Sequence, residues 1–283
     1  MKSVQMWLRT ASLSAFSGWV LGVGTIGATG QLSLATPAPQ DFSQASSKIA
    51  IDQIPSNALS RIKTDIKVRD RVAPAQVKLI RAQARTWNGC MGLEKPGTAC
   101  IEIAISGWQV VLSGPNQRYW VYHVDQSGDR VARNYAASSL KVSQIPAPRF
   151  VEREVAPSDD RTVFQEALLM GNTRTYYAIE LKTAGDNFVL TQREIAPKAG
   201  QPKVLKRLTA AQVQPFLATL NKQNFPHFSQ LSYFNGDRIA ADAPLLQLSS
   251  YGTAVEYTGG DEALLPPKLR VIVRAWNQLT QIR

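Results

Sequence analysis

The sequence reads as an α+β protein: two small domains, each an antiparallel sheet packed with one or two helices, behind an N-terminal signal segment. Three observations lead there. Helical periodicity is confined to a few windows; short β-rich runs punctuated by Gly, Pro, Asn and Asp fill the rest; and a proline-containing stretch without apolar period separates two such sets. The 283 residues are 44% apolar and 8% aromatic, which supports real cores and excludes a disordered chain. Its 18 Gly and 16 Pro show no collagen-like period.

The first segment carries Lys2 and Arg9 without an acid, and residues 10–30 are uncharged, apolar and small. This is the pattern of a secretory signal over residues 1–30, with Ala28 and Gly30, or Ser33 and Ala35, suited to a signal peptidase. The expected location is therefore secreted or periplasmic. The alternative is an uncleaved membrane anchor, because 21 uncharged residues just span a bilayer. Gly22, Gly24 and Gly27 spell the dinucleotide fingerprint, but the preceding strand and the later acidic residue that give it meaning are missing. Residues 31–50, rich in Ser, Ala, Gln and Pro, read as a flexible linker.

Residues 51–146 form the first expected domain. Ser56 is placed to cap a helix through Lys67 that turns Leu59, Ile62 and Ile66 to one side. Residues 76–87 fit a helix through Val77, Ile80 and Ala84, or a strand running to the turn-like Asn88-Gly89. Alternation of Ile101, Ile103 and Ile105 predicts a strand, with Gly107 as punctuation before a second one at Trp108–Leu112. Turns at Gly114–Asn116 and Asp125–Gly128 then set off Tyr119–Val124 and Arg130–Asn134, completing a meander.

Pro148, Pro157 and Ser158-Asp159-Asp160 mark residues 147–160 as a linker. In residues 161–283, Tyr176–Lys182 and Phe188–Ile195 predict a hairpin. Thr209 and Gln212 form a capping box ahead of Val213, Phe216, Leu217 and Leu220, with Pro215 a source of a kink. A second hairpin turns at Tyr251-Gly252. Pro266-Pro267 opens a last helix whose Leu269, Ile272, Val273, Trp276 and Leu279 share one face.

The 32 basic residues exceed the 21 acidic by 11, and the signal segment holds two of the positive charges. Over residues 61–85, Arg61, Lys63, Lys67, Arg69, Arg71, Lys78, Arg81 and Arg85 face only Asp65 and Asp70. Such a field attracts an anionic envelope component such as a polysaccharide or lipid headgroup, or simply solvates a surface. Nucleic acid is not the expected partner, since no aromatic platform is interleaved with these charges. Cys90 and Cys100 are the only thiols, and in an oxidising compartment they are expected to pair. His123 and His227 have no ligand set around them, and carboxylate pairs such as Asp159-Asp160 and Asp261-Glu262 fall in apparent loops. Ser60-x-x-Lys63 and Ser138-x-x-Lys141 lack the companion motifs of penicillin-binding enzymes. No catalytic residue, metal site or cofactor is expected; a hydrolase whose site is assembled from distant loops is the remaining alternative.

The run Thr86-Trp87-Asn88-Gly89-Cys90-Met91-Gly92-Leu93, then Pro96-Gly97, Cys100, Gly107-Trp108 and Tyr119-Trp120-Val121-Tyr122-His123, resembles an uncharacterised secreted bacterial domain frequent in cyanobacteria. Its members read T-W-P-D-G-C-L-G-L, so this chain departs at Asn88. The resemblance implies that residues 76–87 are a strand. The second half resembles the emfourin-like inhibitors of thermolysin-type metalloproteases, through its order of hairpin, helix, hairpin and helix, Gly185 and Phe188, Asp242, and Leu265-Pro266-Pro267-Lys268-Leu269. It departs at Ala184, Asp186 and Asn187, within the family's Gly-Gly-Phe turn. The resemblance implies a non-enzymatic binding module that meets a protein partner, with a metalloprotease as its model, through Gly185, Asp186, Asn187 and Phe188.

Overall fold

The computed structural model describes residues 53–140, 145–170, 176–196, 198–234 and 243–281. The expected signal and first linker, the glycines at 22, 24 and 27, Lys141 and Asp242 lie outside the described residues. The described residues belong to one compact unit, with two sheets and three α-helices.

Helix α1 spans Ser56–Asp70 and buries Ala58, Ile62 and Ile66. Ser56 is its first residue, not its cap. Pro55 holds the cap position and no side chain bonds the free amides there. The first sheet has the order β1 (Lys78–Trp87), β2 (Ile105–Ser113), β3 (Tyr119–Asp125), β4 (Val131–Arg133), antiparallel throughout. The strand reading of residues 76–87 is thus correct to within two residues. The strand expected around Ile101 and Ile103 is absent: both side chains point into solvent, 72% and 47% exposed, and pairing begins only at Ile105. An alternating run needs a neighbour to become a strand, and Cys100 is tied instead to the loop after β1. Gly107 stands inside β2, where a Cβ would lie 1.9 Å from the Val124 carbonyl oxygen, so close strand approach is what selects glycine.

Both faces of this sheet are covered. Trp120, Tyr122 and Val124 turn to α1 with Val110 and Leu112, while Val111, Tyr119 and Val121 join a second core that includes Phe164, Leu181, Phe216 and Trp276. Strand β3 is accordingly buried along nearly its whole length. The two sheets assigned by sequence to separate domains thus share one apolar cluster.

The second sheet has eight strands. In chain order they are β5 (Arg149–Phe150), β6 (Thr162–Met170), β7 (Tyr176–Ala184), β8 (Asn187–Ala196), β9 (Lys203–Leu208), β10 (Leu231–Tyr233), β11 (Leu245–Ser250) and β12 (Thr253–Thr258). Across the sheet the order is β5-β10-β12-β11-β6-β7-β8-β9, with β10 parallel to β12 and the other pairs antiparallel. The hairpins β7–β8 and β11–β12 are those read from the sequence; β5, β6, β9 and β10 were not. Helix α2 (Ala210–Lys222) starts with the expected capping box and runs through Pro215, and α3 (Pro267–Thr280) buries Leu269, Ile272, Val273 and Trp276. Phe164, Phe216 and Trp276 meet between the helices and the sheet, with ring centroids 4.8 to 5.4 Å apart.

Candidate functional site

Arg133 on β4 is 3% exposed, and a buried guanidinium demands acceptors. Its NH1 and NH2 donate to the two Asp70 carboxylate oxygens at 3.2 and 2.6 Å, NH2 also meets Asp65 Oδ2 at 3.0 Å, and Nε donates to the Tyr122 hydroxyl at 2.7 Å. Trp120 Nε1 donates to Asp70 Oδ2 at 2.9 Å, and the Tyr122 hydroxyl donates to Asp65 Oδ2 at 2.7 Å. Three elements are locked together: Asp65 and Asp70 come from α1, Trp120 and Tyr122 from β3, and Arg133 from β4. Planar, forked geometry makes arginine the residue able to serve both carboxylates at once.

Above this network lies a groove of about 300 Å³, lined by Arg61, Asp65, Arg69, Tyr122, Arg133 and Tyr135 among others. Arg69 Nε donates to Asp65 Oδ1 at 2.5 Å, and Arg61 meets Asp129 at 3.5 Å. Both outer arginines are more than half exposed, and such pairs are weak and exchangeable. Tyr135, 53% exposed, stands 5.3 Å from the Arg133 guanidinium. Burial works against ionisation of Asp65, but hydrogen bonds from Tyr122 and Arg69 and the charge of Arg133 outweigh it, so its pKa lies below the ordinary carboxylate value. Burial pushes the Tyr122 phenol upward, so it acts as a neutral donor. The groove therefore presents fixed cations and an aromatic edge over an inner layer whose acids are already engaged.

The eight basic residues singled out by sequence divide between two places. Arg61, Lys63, Lys67, Arg69 and Arg71 lie on α1 or its C-terminal cap, and only Arg61 and Arg69 line the groove. Lys78 is exposed at the start of β1. Arg81 and Arg85 turn inward: Arg81 NH1 donates to the Pro148 carbonyl at 3.3 Å and Arg85 NH2 to Ser229 Oγ at 3.3 Å, with burial lowering both pKa values. These two brace the contact between the sheets and do not belong to a common basic surface with α1. Sequence reasoning missed Tyr122, Arg133 and Tyr135 as groove residues, and Asp70 as the acid that holds Arg133 beneath them. The one available signal was Arg61 and Asp65 a helical turn apart, which names a face of α1 and not its neighbour.

Cys90 and Cys100 are bonded, with Cα atoms 5.6 Å apart. The tryptophan–cysteine–histidine pattern proves to be architectural. Trp87 stacks on His123 at 4.0 Å and donates to the Val124 carbonyl at 3.1 Å; Gly92, at φ 67°, leaves room for that ring, which a Cβ would approach to 2.9 Å. Asn88 Oδ1 accepts from the Cys90 and Gly92 amides, both at 3.1 Å, organising the start of the loop. His123 Nδ1 donates to the Met91 carbonyl at 2.6 Å, and burial drives its pKa down to about 3. Gly185, Asp186 and Asn187 form the exposed tip of the β7–β8 hairpin, with Gly185 at φ 61° and Phe188 half-buried beside them. That tip and the groove belong to different sheets.

Among the described residues no three metal-ligating side chains converge, and no helix is long and apolar enough to cross a membrane. A family model described as a domain of unknown function (DUF8738) matches residues 59–133, from α1 through β4. That interval holds the disulfide and, apart from Tyr135, the groove residues named above. Neither a curated protein nor a solved structure matches the chain.

Proposed function

We propose that this is an extracytoplasmic, non-enzymatic binding protein whose groove between α1 and β4 holds an anionic group of an envelope component. The observation that carries the reading is the groove itself: Arg61 and Arg69 stand at its rim with exchangeable partners, over an Arg133 network that fixes the walls. A carboxylate or sulfate displaces Asp129 from Arg61 and gains charge-assisted hydrogen bonds, while the Tyr135 ring offers a face to a sugar. The disulfide supports an oxidising compartment.

Calorimetric titration with a sulfated polysaccharide at low and high salt tests the reading. Binding that weakens with salt, and is lost in Arg61→Gln/Arg69→Gln without a change in melting temperature, is the expected result. Absence of binding at low salt, both to that polymer and to anionic vesicles, overturns it. A second reading rests on the exposed Gly185-Asp186 hairpin tip: contact with a metalloprotease, as in the inhibitors the second half resembles. A thermolysin-type protease left fully active by excess protein removes that reading.

A further inference from the structure

Residues 151–159, between β5 and β6, cross the face of the second sheet and are held there by side chains reaching up from successive strands. From β11, Gln247 Nε2 donates to the Arg153 carbonyl and its Oε1 accepts the Val155 amide, both at 2.7 Å. One glutamine thus reads the main chain of positions i and i+2, as a neighbouring strand would. From β6, Gln165 Nε2 donates to the Val155 carbonyl at 2.6 Å. Arg193 on β8 donates to the Ala156 carbonyl at 2.6 Å, and Glu180 on β7 accepts the Ser158 amide at 2.9 Å. Gln165, Glu180 and Gln247 are fully buried, whereas residues 152–154 and 156–158 are exposed. Side chains of the strap add contacts at Glu154 with Gln230, at Ser158 with Glu180 and Lys182, and at Asp159 with Lys182. From Arg153 to Ala156, however, the hydrogen bonds to the sheet run to the backbone apart from that of Glu154, and are ones an extended chain of other sequence can make. Segments held this way open locally before the sheet does.

One contact is missing, and the sequence says why. By the pattern of Gln247, the oxygen of Gln165 should accept the amide two residues beyond Val155. That residue is Pro157, which has no N–H, and Gln165 Oε1 is a buried acceptor without a partner. The strap is an imperfect occupant of a surface arranged to bind a better one.

We propose that this sheet face is a peptide-binding site, filled in cis by residues 151–159, and that its external ligand is an extended segment of a partner protein carrying a non-proline residue where the strap has Pro157. The face recognises main chain through Gln247, Gln165, Glu180 and Arg193, in the manner of strand addition but through side chains. It is separate from the α1 groove, so the two proposals stand or fall independently.

The test uses two labelled synthetic peptides of the sequence 151–160, one native and one with alanine for Pro157, titrated into the full chain. The alanine peptide is expected to bind about tenfold more tightly, the factor for one satisfied buried acceptor. Its binding should speed hydrogen exchange at the Val155 and Ser158 amides while β6 and β7 stay protected. Pro157→Ala in the chain itself should weaken the same peptide about tenfold, because the strap then competes better. Equal affinities, no binding by either peptide, or strap amides that exchange only with global unfolding overturn the proposal.

Discussion

Replacing Trp276 with alanine tests whether α3 is a core element or a presented surface. Trp276 is 0% exposed, with Phe164 and Phe216 rings 4.8 and 5.4 Å from its own. A buried tryptophan removes about 200 Å² from water, which at about 25 cal/mol/Å² is about 5 kcal/mol. Residual compactness of the unfolded chain trims that by up to a third, while the cavity left among Phe164, Phe216 and Ile272 adds to it. The expected cost is about 4 kcal/mol, within the range for large aromatics truncated to alanine. For a protein of this size the melting temperature should fall by about 8 to 16 °C. Differential scanning calorimetry and urea unfolding of the whole chain read the shift, and Trp276→Phe should recover more than half of it. An unshifted midpoint for Trp276→Ala refutes the core assignment and makes α3 an exposed anchor for a partner.

Three other outcomes follow from the geometry. His123, whose pKa burial lowers to about 3, stays neutral in the folded protein while the unfolded chain takes up a proton below about 6.5; stability is complete above that pH and is lost as pH falls, by about 1.4 kcal/mol per unit. Urea midpoints at pH 7 and 5 should reflect this loss and His123→Gln should shrink the difference; what remains combines His227, which burial shifts the same way, with Glu166 and Glu256, whose burial-raised pKa values act in the opposite direction. Arg133→Ala strands Asp65 and Asp70 and should cost about 3 kcal/mol; Arg133→Lys should recover little, since an ammonium cannot fork to both carboxylates, and a lysine variant as stable as wild type defeats the argument. Reducing the Cys90–Cys100 bond should cost about 3 kcal/mol by the chain-entropy relation, read by melting with and without reductant. Alkylation of both cysteines in the non-reduced protein would contradict the bond.

Patterns with a single strong period were legible in the sequence. The capping box at Thr209 and Gln212, the apolar stripe through Trp276 and the two hairpins around Gly185 and Gly252 are encoded within windows of about fifteen residues, and the structure keeps all of them. Strand β6 escaped because both its faces are buried: Phe164 joins the apolar core while Gln165 holds the strap, and Ala167 and Leu168 are buried in succession, so alternation between core and solvent never appears. Strand β10 escaped because three residues parallel to β12 carry no turn signal. Ile101 and Ile103 misled for the opposite reason, being alternation without a partner strand.

By itself the sequence determined the α+β class, the pairing of the only two cysteines, and the elements whose local chemistry is self-sufficient: the Thr209 capping box, the two hairpin turns and the amphipathic helices. Tertiary structure alone decided which charges act together. Eight basic residues that read as one field separate into the α1 rim and the inward Arg81 and Arg85, because alternate strand residues face opposite ways and a second sheet lies behind β1. It likewise joined Arg133 to Asp65 and Asp70 across 63 to 68 positions, and seated a proline-marked connector on a row of buried glutamines. The physical reason is the same in each case. Periodicity reports which side of an element is apolar, whereas a site depends on what the fold brings against the other side.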